Sequence, residues 1–272
     1  SYSNPNLQQI PARNKELGPL IRSLFIPEEK HKWGCFDYSQ QEPRLVVHYA
    51  ASTEPICFDE SVTNIVARFN KNDVDFHQTV ADMANISRTQ AKTINLGLFY
   101  GMGKAKLQAE LGLNKREEAE DLFNQYHQNV PFVKDLMNYT SRQAQTSGSI
   151  GTLLGRRCRF TKWEPNQFGM HKPMSFEEAE RTYGRGRIRR AFTYKALNKL
   201  IQGSAADMTK KAMLDLYKEK IVPHVQIHDE LDISVESDEK AKRIIEIMER
   251  AVTLKVPNKV DYDSGETWGD IY

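Results

Sequence analysis

The chain has 272 residues and a nearly balanced charge, with 38 Lys and Arg against 36 Asp and Glu. This balance does not by itself indicate a nucleic-acid-binding protein, and the length allows one large domain or two. The 3 cysteines form no CxxC pair, which argues against a disulfide framework or a zinc site. Since no apolar run approaches transmembrane length and no signal peptide is visible, we expect a cytoplasmic protein without a membrane partner.

The beginning of the chain contains a strand that runs into a helix. Residues 1–22 are rich in Asn, Gln and Pro, which is typical of loops and extended chain. Residues 24–36 contain two short strand candidates separated by a charged turn, and the second leads into Asp37. Apolar residues at helical spacing then predict a helix over 41–52. A carboxylate therefore stands at the junction of a strand and a helix.

The stretch 88–101 is predicted to be a helix that carries a cationic stripe. Ser87 is its predicted N-cap, and two glycines follow its last residues. Residues spaced by four form one slowly drifting stripe about 18 Å long. The cationic stripe consists of Arg88, Lys92, Leu96 and Tyr100. Two cations suit a polyphosphate and an aromatic ring suits a stacked base, although an isolated stripe is more typical of a solvated face ending in a core tyrosine.

The rest of the chain is predicted to be mostly helical, with two hairpins. Apolar residues alternate over 222–235 and predict a hairpin with His228 and Asp229 near its turn. Further helices are predicted over 54–86 with a turn near 70–73, 104–111, 115–130, 131–148, 176–220 with a break near Gly184, and 239–254; a hairpin is predicted over 150–160, a loop over 163–174 and a strand over 259–262.

Three motifs in order resemble those of family A DNA polymerases, and especially the phage members. They are DYSQxE from Asp37, RxxxKxxxxGxxYG from Arg88, and HDE from His228. The resemblance implies an α+β fold, with a polymerase palm of antiparallel sheet and packed helices and an inserted, mostly helical fingers domain. It assigns 1–53 and 191–272 to the palm and 54–190 to the fingers.

The resemblance implies a two-metal phosphoryl transfer at the carboxylates. Asp37, Asp229 and the Tyr38 carbonyl would hold two Mg²⁺ ions, with Mn²⁺ as the alternative, if their strands are neighbours. Glu230 would point to the face opposite Asp229, since side chains alternate along a strand, and is expected to support catalysis rather than bind metal.

The resemblance also implies that several side chains bind the incoming deoxynucleoside triphosphate. Lys92 would in addition neutralise or protonate the leaving group, Glu42 would exclude a sugar 2′-hydroxyl, and Tyr100 would lie under the templating base. The family usually carries Phe or Tyr at position 96, so Leu96 predicts altered discrimination at the sugar 3′ position. The nucleotide-binding set is Arg88, Lys92, Leu96, Tyr100, Glu42, Gln40 and His77.

Primer-template DNA is the second partner that the resemblance implies. The SxPNLQxIPxRN and NxxxQGxxAD patterns resemble segments that contact the minor groove, and amides on one helix face can bind the acceptors that every base pair presents there. Tyr194 stands where the bacterial enzymes usually have Arg. The expected DNA-binding residues are Asn6, Gln8, Arg13, Asn198, Gln202 and His228.

The family's thumb and exonuclease-like domains have no counterpart in this sequence, so we expect them on a separate chain or a missing segment. Three rival interpretations stay open. A single-subunit RNA polymerase uses a similar helix, but Glu42 argues against it. A non-catalytic primer-template clamp and an HD-type metal-dependent phosphohydrolase are the others, the latter weakened by the lack of a further His cluster.

Overall fold

The computed structural model describes residues 10, 14–53, 60–71, 75–99, 104–167 and 169–271. The chain forms two compact units. Unit 1 combines Ser1–Arg44 with Ala205–Tyr272, and unit 2 is Leu45–Ser204. The borders predicted after residues 53 and 190 both fall inside unit 2, and assigning palm and fingers to these units is a proposal made below.

The described residues form eleven α-helices and eight strands. The helices are α1 (Leu17–Arg22), α2 (Gln41–Ser52), α3 (Glu60–Asn70), α4 (Phe76–Ala84), α5 (Arg88–Phe99), α6 (Lys104–Glu110), α7 (Arg116–Asn129), α8 (Pro131–Ser147), α9 (Phe176–Tyr183), α10 (Ala196–Lys218) and α11 (Asp238–Arg250). The strands are β1 (Lys32–Tyr38), β2 (Ser149–Gly151), β3 (Arg157–Arg159), β4 (Trp163–Pro165), β5 (Ile188–Arg190), β6 (Val225–Ile227), β7 (Glu230–Val235) and β8 (Val260–Gly265).

Unit 1 is built on an antiparallel sheet whose strand order is β6-β7-β1-β8. The central strand β1 comes from the beginning of the chain and its partners come from the end. Gly34 allows the close packing of β1, because a Cβ there would lie 2.7 Å from Cγ2 of Val235. The α+β architecture with an antiparallel sheet, predicted from the motifs, is confirmed.

The two faces of this sheet differ in chemistry. One face carries Phe36 and Leu231, both fully buried, and packs on α11, to which the Tyr38 hydroxyl is tied by donating to the carbonyl of Met248 at 2.6 Å. The other face carries Cys35 and Asp37, and is covered at one end by a cluster of aromatic rings. That aromatic cluster consists of Phe25, Trp33 and Trp268.

Unit 2 is mostly helical, with α4 packed on α5 and α7, and α8 packed on α3 and α7. The β2–β3 hairpin lies against the first part of α10. Gly203 makes this approach possible, since a Cβ there would meet Cγ2 of Thr152 at 2.6 Å. The hydroxyl of Ser204 hydrogen-bonds the hydroxyl of Tyr49 and accepts from the N–H of Leu153.

Three local predictions are wrong. The expected loop over 1–22 contains α1, because Asn14 Oδ1 accepts from the N–H groups of Glu16 and Leu17 at 3.0 and 2.9 Å and starts a helix. The first strand candidate in 24–36 forms no strand. The expected loop 163–174 contributes β4, which pairs with β5, a strand that follows the break expected near Gly184 in the helical pattern 176–220. No helix among the described residues is long and apolar enough to cross a lipid bilayer.

Candidate active site

Carboxylates of unit 1 gather where β1 ends. Antiparallel pairing sets Asp37 directly opposite Glu230 on β7 and opposite Asp261 on β8. Directly opposed residues share one face of the sheet, with Cβ atoms about 4.5–5.5 Å apart. Asp229 precedes Glu230 in the turn between β6 and β7. We call Asp37, Asp229, Glu230 and Asp261 the carboxylate cluster, and it contains both acids predicted to bind metal.

Burial, together with like charges at Asp37, raises the pKa values of two acids of this cluster. Asp37 is an exposed residue, yet enough protein surrounds its carboxyl group to desolvate it. This desolvation, followed by the charges of Asp229, Glu230 and Asp261, raises the pKa of Asp37 to about 7. Burial also raises the pKa of Asp229, against the opposing effects of a hydrogen bond to its own backbone and of His228.

The donor set of the cluster fits a divalent cation. Carboxylate oxygens are the ligands that Mg²⁺ prefers, and a bound cation would offset the repulsion that raises the Asp37 pKa. Tyr38 has its phenol engaged with Met248, so its main-chain carbonyl is the group left for the predicted metal role. The N–H of Ser39 donates to the carbonyl of Lys259 at 2.9 Å and fixes this end of β1 beside β8.

The side chain of Glu230 does not project from the sheet face that strand alternation alone predicted. Asp229 belongs to the turn, and β7 begins only at Glu230, so alternation does not set these two acids on opposite faces. Register instead gives Glu230 the same sheet face as Asp37. Its charge is one of the causes of the raised Asp37 pKa, and its supporting role stays a prediction.

The turn residues on either side of the cluster adopt unusual backbone angles. His228 has φ +54°, and its carbonyl accepts from Nε2 of Gln226 at 3.0 Å. Gln40 also has φ +54° and lies between β1 and α2, whose first turn carries the half-buried Glu42. Such angles are uncommon outside glycine and are typical of positions that function or tight turns impose.

The cations of the stripe lie on α5 in unit 2. The hydroxyl of Ser87 accepts from the N–H of Gln90 at 3.2 Å, and the Gln90 side chain accepts in return from the N–H of Ser87 at 2.9 Å, which confirms the predicted N-cap. Arg88 and Lys92 are both exposed. Nε of Arg88 donates to Oδ2 of Asp75 at 2.6 Å, so Arg88 already has an anionic partner.

His77 lies beside these two cations. Burial lowers its pKa; the Asp75 charge opposes this, and the charges of Lys92 and Arg88 add to it. Its Nδ1 lies 3.1 Å from Nδ2 of Asn95, and Oδ1 of that buried amide accepts from the hydroxyl of Tyr126. His77 is therefore held in one orientation and favours the neutral form at neutral pH.

Two members of this network were missed from sequence. Asp75 caps α4 by accepting from the N–H groups of His77 and Gln78, and at the same time holds Arg88. Its position before a helical pattern could have predicted the cap but not the ion pair. Asn95 is a single buried polar residue within α5, and no local pattern predicts its partners.

The predicted DNA-binding amides lie on α10. Asn198 is half-buried and Gln202 is exposed, one helical turn apart. The neighbouring Gly203 carbonyl accepts from Nη2 of Arg156 at 2.6 Å, which ties the basic β2–β3 hairpin to this part of α10. Leu96 is half-buried on α5. Four predicted site residues lie outside the described residues: Asn6, Gln8, Arg13 and Tyr100.

Comparison with known proteins settles the family. The profile of DNA polymerase family A matches residues 1–270. The chain belongs to this family. This family A polymerase chain is 35% identical over 306 residues to a DNA-directed DNA polymerase of Pseudomonas phage M6, and 37% identical over 282 residues to DNA polymerase I of Geobacillus stearothermophilus. The resemblance to the family, with phage members among the relatives, is thereby confirmed.

A solved structure matches the family A fold along the whole chain. It is the POL domain of Pol1 from M. smegmatis in complex with DNA primer-template and dNTP, with a TM-score of 0.78 and 29% identity over 99% of this chain. The family A chain spans 45% of that protein, 43% of the phage relative and 30% of the Geobacillus relative. Polymerases of this family use Mg²⁺.

Proposed function

We propose that this chain carries the polymerase module of a DNA-templated DNA polymerase. In the proposed reaction the primer 3′-oxygen attacks the α-phosphorus of a deoxynucleoside triphosphate, a new phosphodiester bond forms, and pyrophosphate leaves. The observation that carries the proposal is the carboxylate cluster at the end of β1, which contains both motif acids in a family A chain. Unit 1 would be the palm and unit 2 the fingers.

Asp37 and Asp229 are the proposed metal ligands, together with the Tyr38 carbonyl. The raised pKa values of the two acids support this: burial raises both, like charges add to the rise at Asp37, and a bound divalent cation would stabilise the charged form of each acid. Bound Mg²⁺ would supply Lewis-acid stabilisation of the attacking and leaving oxygens. Glu230 projects from the same sheet face as Asp37, and its charge would contribute to the negative potential at the metal ligands.

Arg88, Lys92 and His77 are the proposed ligands of the triphosphate. Their mutual closeness on α4 and α5 supports this, since two cations and a hydrogen-bonding imidazole suit phosphate oxygens. Lys92 is the proposed group that neutralises or protonates the leaving pyrophosphate. Arg88 would have to exchange or share its contact with Asp75 when the triphosphate binds.

The remaining motif residues are assigned to the sugar and the DNA. We assign Glu42, with Gln40 beside it, to exclusion of the ribose 2′-hydroxyl, and His228 to the primer terminus. The minor groove of the primer-template is the proposed ligand of the α10 amides and of the segment before residue 14. These DNA-binding residues are Asn198, Gln202, Asn6, Gln8 and Arg13, and the templating base would stack on Tyr100.

Leu96 is proposed to alter discrimination at the sugar 3′ position. A half-buried aliphatic side chain there offers a different packing surface from an aromatic ring and has no hydroxyl. Leu96→Tyr should therefore change the ratio of dideoxynucleotide to deoxynucleotide incorporation, measured on one primer-template in single-turnover assays. An unchanged ratio would refute this assignment.

A second candidate function is primer-template binding without catalysis, in concert with a chain that carries thumb and exonuclease domains. It is the alternative to catalysis by this chain, which spans under half of each relative named above. Primer extension by the purified chain with Mg²⁺ decides between the two. Extension with deoxynucleotides supports the polymerase, extension with ribonucleotides supports the RNA polymerase alternative, and binding of primer-template without extension supports the second candidate.

A further inference from the structure

A second group of ligand-type side chains lies on the same sheet face as Asp37. Cys35 on β1 is directly opposite Asp232 on β7, and Glu230 is two residues before Asp232. Because side chains repeat every two residues along a strand, all three project from one face. One ligand atom from each, the Cys35 sulfur and one oxygen from each acid, lie within 4.8 Å of one another. We call these three residues the thiol-carboxylate site.

Asp232 is the unusual member of this site. It is 0% exposed, and both of its carboxylate oxygens are buried without a hydrogen-bond partner. A buried carboxylate in that state costs several kcal/mol unless it is protonated or bound to a cation. Arg22 is a cation whose charge acts on Asp232, but its guanidinium lies over the Trp268 ring, 4.4 Å from the centroid.

Burial also determines the electrostatics of the thiol-carboxylate site. Burial, then the charge of Glu230, raises the pKa of Asp232. Two buried groups, Cys35 and Asp232, therefore lie beside the half-buried Glu230, and a multivalent cation is a partner that all three could bind.

We propose that Cys35, Glu230 and Asp232 bind a zinc-type divalent cation at a site that adjoins the carboxylate cluster through Glu230 but uses neither of the proposed Mg²⁺ ligands, Asp37 and Asp229. Cys sulfur and Asp or Glu oxygen are Zn²⁺ ligands, and three of them leave the fourth tetrahedral position to water. Mg²⁺ prefers oxygen ligands and an octahedral shell, so the thiol selects against it. The ligands lie on strands about 200 residues apart in sequence, which is why the absence of a CxxC pair argued misleadingly against such a site.

The first test is equilibrium dialysis of the whole chain against Zn²⁺ in excess Mg²⁺, with bound metal counted by elemental analysis. We expect one Zn²⁺ per chain and a rise in thermal unfolding temperature, because only the folded chain assembles the site. A folded chain that retains no Zn²⁺ would overturn the proposal, and this result needs no variant.

The second test uses Co²⁺ as a spectroscopic probe in excess Mg²⁺. Thiolate ligation should give a near-ultraviolet sulfur-to-cobalt charge-transfer band at one equivalent, and Zn²⁺ should displace it. Cys35→Ser should abolish the band, whereas Cys158→Ser, at a half-buried cysteine on β3, should keep it. Asp232→Asn should weaken Co²⁺ affinity by about tenfold or more.

The variants must be shown to be folded by far-ultraviolet circular dichroism before their affinities are compared. A band that persists in Cys35→Ser, or is lost in Cys158→Ser, would assign the metal to another thiol and refute the site. If Cys35→Ser does not fold, Asp232→Asn carries the comparison, and unchanged affinity in that variant is equally decisive against the proposal. Failure of primer extension leaves these readouts untouched, since none of them measures polymerase activity.

Discussion

The carboxylates of unit 1 and the cations of unit 2 are held in different ways. Register between three strands sets Asp37 against Glu230 and Asp261, and of these three acids Asp261 has a cation partner, Nζ of Lys259 at 3.1 Å. On α5 the opposite sign is partly neutralised in advance, because Arg88 has Asp75 as a partner. In the proposed site, the sheet would keep negative charge available for a divalent cation, while Arg88 would stay paired with Asp75 until the triphosphate binds.

The largest expected effect comes from the acids that the sheet holds. Asp37→Asn or Asp229→Asn should lower primer extension by at least about 100-fold, because each removes a metal ligand, and should leave primer-template binding largely intact. Single-turnover extension and a filter-binding assay measure the two quantities. Asp121→Asn, at an exposed acid on α7, is the matched control. Appreciable turnover in either sheet variant would remove the two-metal assignment.

Lys92 on the helix should have the next largest effect. Lys92→Ala should lower the extension rate by about 100-fold, since general-acid help to a leaving group contributes about that much. The matched control is Lys106→Ala, at an exposed lysine on α6. Equal rates for the two variants would mean that Lys92 belongs to an ordinary solvated face. Pyrophosphorolysis, the reverse reaction, should fall in parallel.

The negative charge of the carboxylate cluster should also affect the free energy of unfolding. With a pKa raised to about 7, Asp37 favours folding when it is protonated, and that contribution is lost as pH rises from about 4 through 7. Asp37→Asn should therefore raise the melting temperature by about 2–4 °C at pH 8 and have little effect near pH 4. Saturating Mg²⁺ should reduce the difference in melting temperature between Asp37→Asn and the unmodified chain at pH 8. A constant difference across pH would contradict the assigned origin of the shift.

The ion pair between Arg88 and Asp75 gives the smallest expected effect, and the sign of the change in KM distinguishes two roles for Asp75. Asp75→Asn keeps a good helix cap but removes the charge that holds Arg88, so KM for the incoming nucleotide should fall by about two- to fivefold. The matched control is Asp82→Asn on α4, whose carboxylate lies 3.7 Å from Nη2 of Arg68 on α3. This variant should leave KM unchanged. A rise in KM for Asp75→Asn would show that Asp75 positions Arg88 rather than competing for it.

Local patterns predicted the elements that carry the site better than the contacts between them. Apolar alternation and a capping Ser were enough to predict β7 and the start of α5, because strand period and cap chemistry are properties of neighbouring residues. The β4–β5 pairing was missed since two three-residue strands separated by more than twenty residues leave no periodic pattern. Local patterns predicted the break near Gly184, where φ is +82° and α9 ends, but favoured helix on both sides of it and missed β5.

The site itself was predictable in its motif residues and unpredictable in their partners. The two aspartates stand in motifs, so resemblance identified them. Asp261 and Asp232 stand in no motif and were found only through register, which is a property of the folded sheet. The same holds for Asp75 with Arg88, a contact between two helices that no single stretch of sequence encodes.

The order of strands in unit 1 has a consequence for synthesis on the ribosome. β1 is translated before both of its neighbours, β7 and β8, which follow the stretch Leu45–Ser204 in the sequence. That contiguous stretch can fold while β1 remains unpaired, since domains tend to fold as their own sequence becomes available. A nascent polypeptide therefore cannot assemble the carboxylate cluster until β7 and β8 have been translated, and premature termination anywhere before β7 leaves a chain without it.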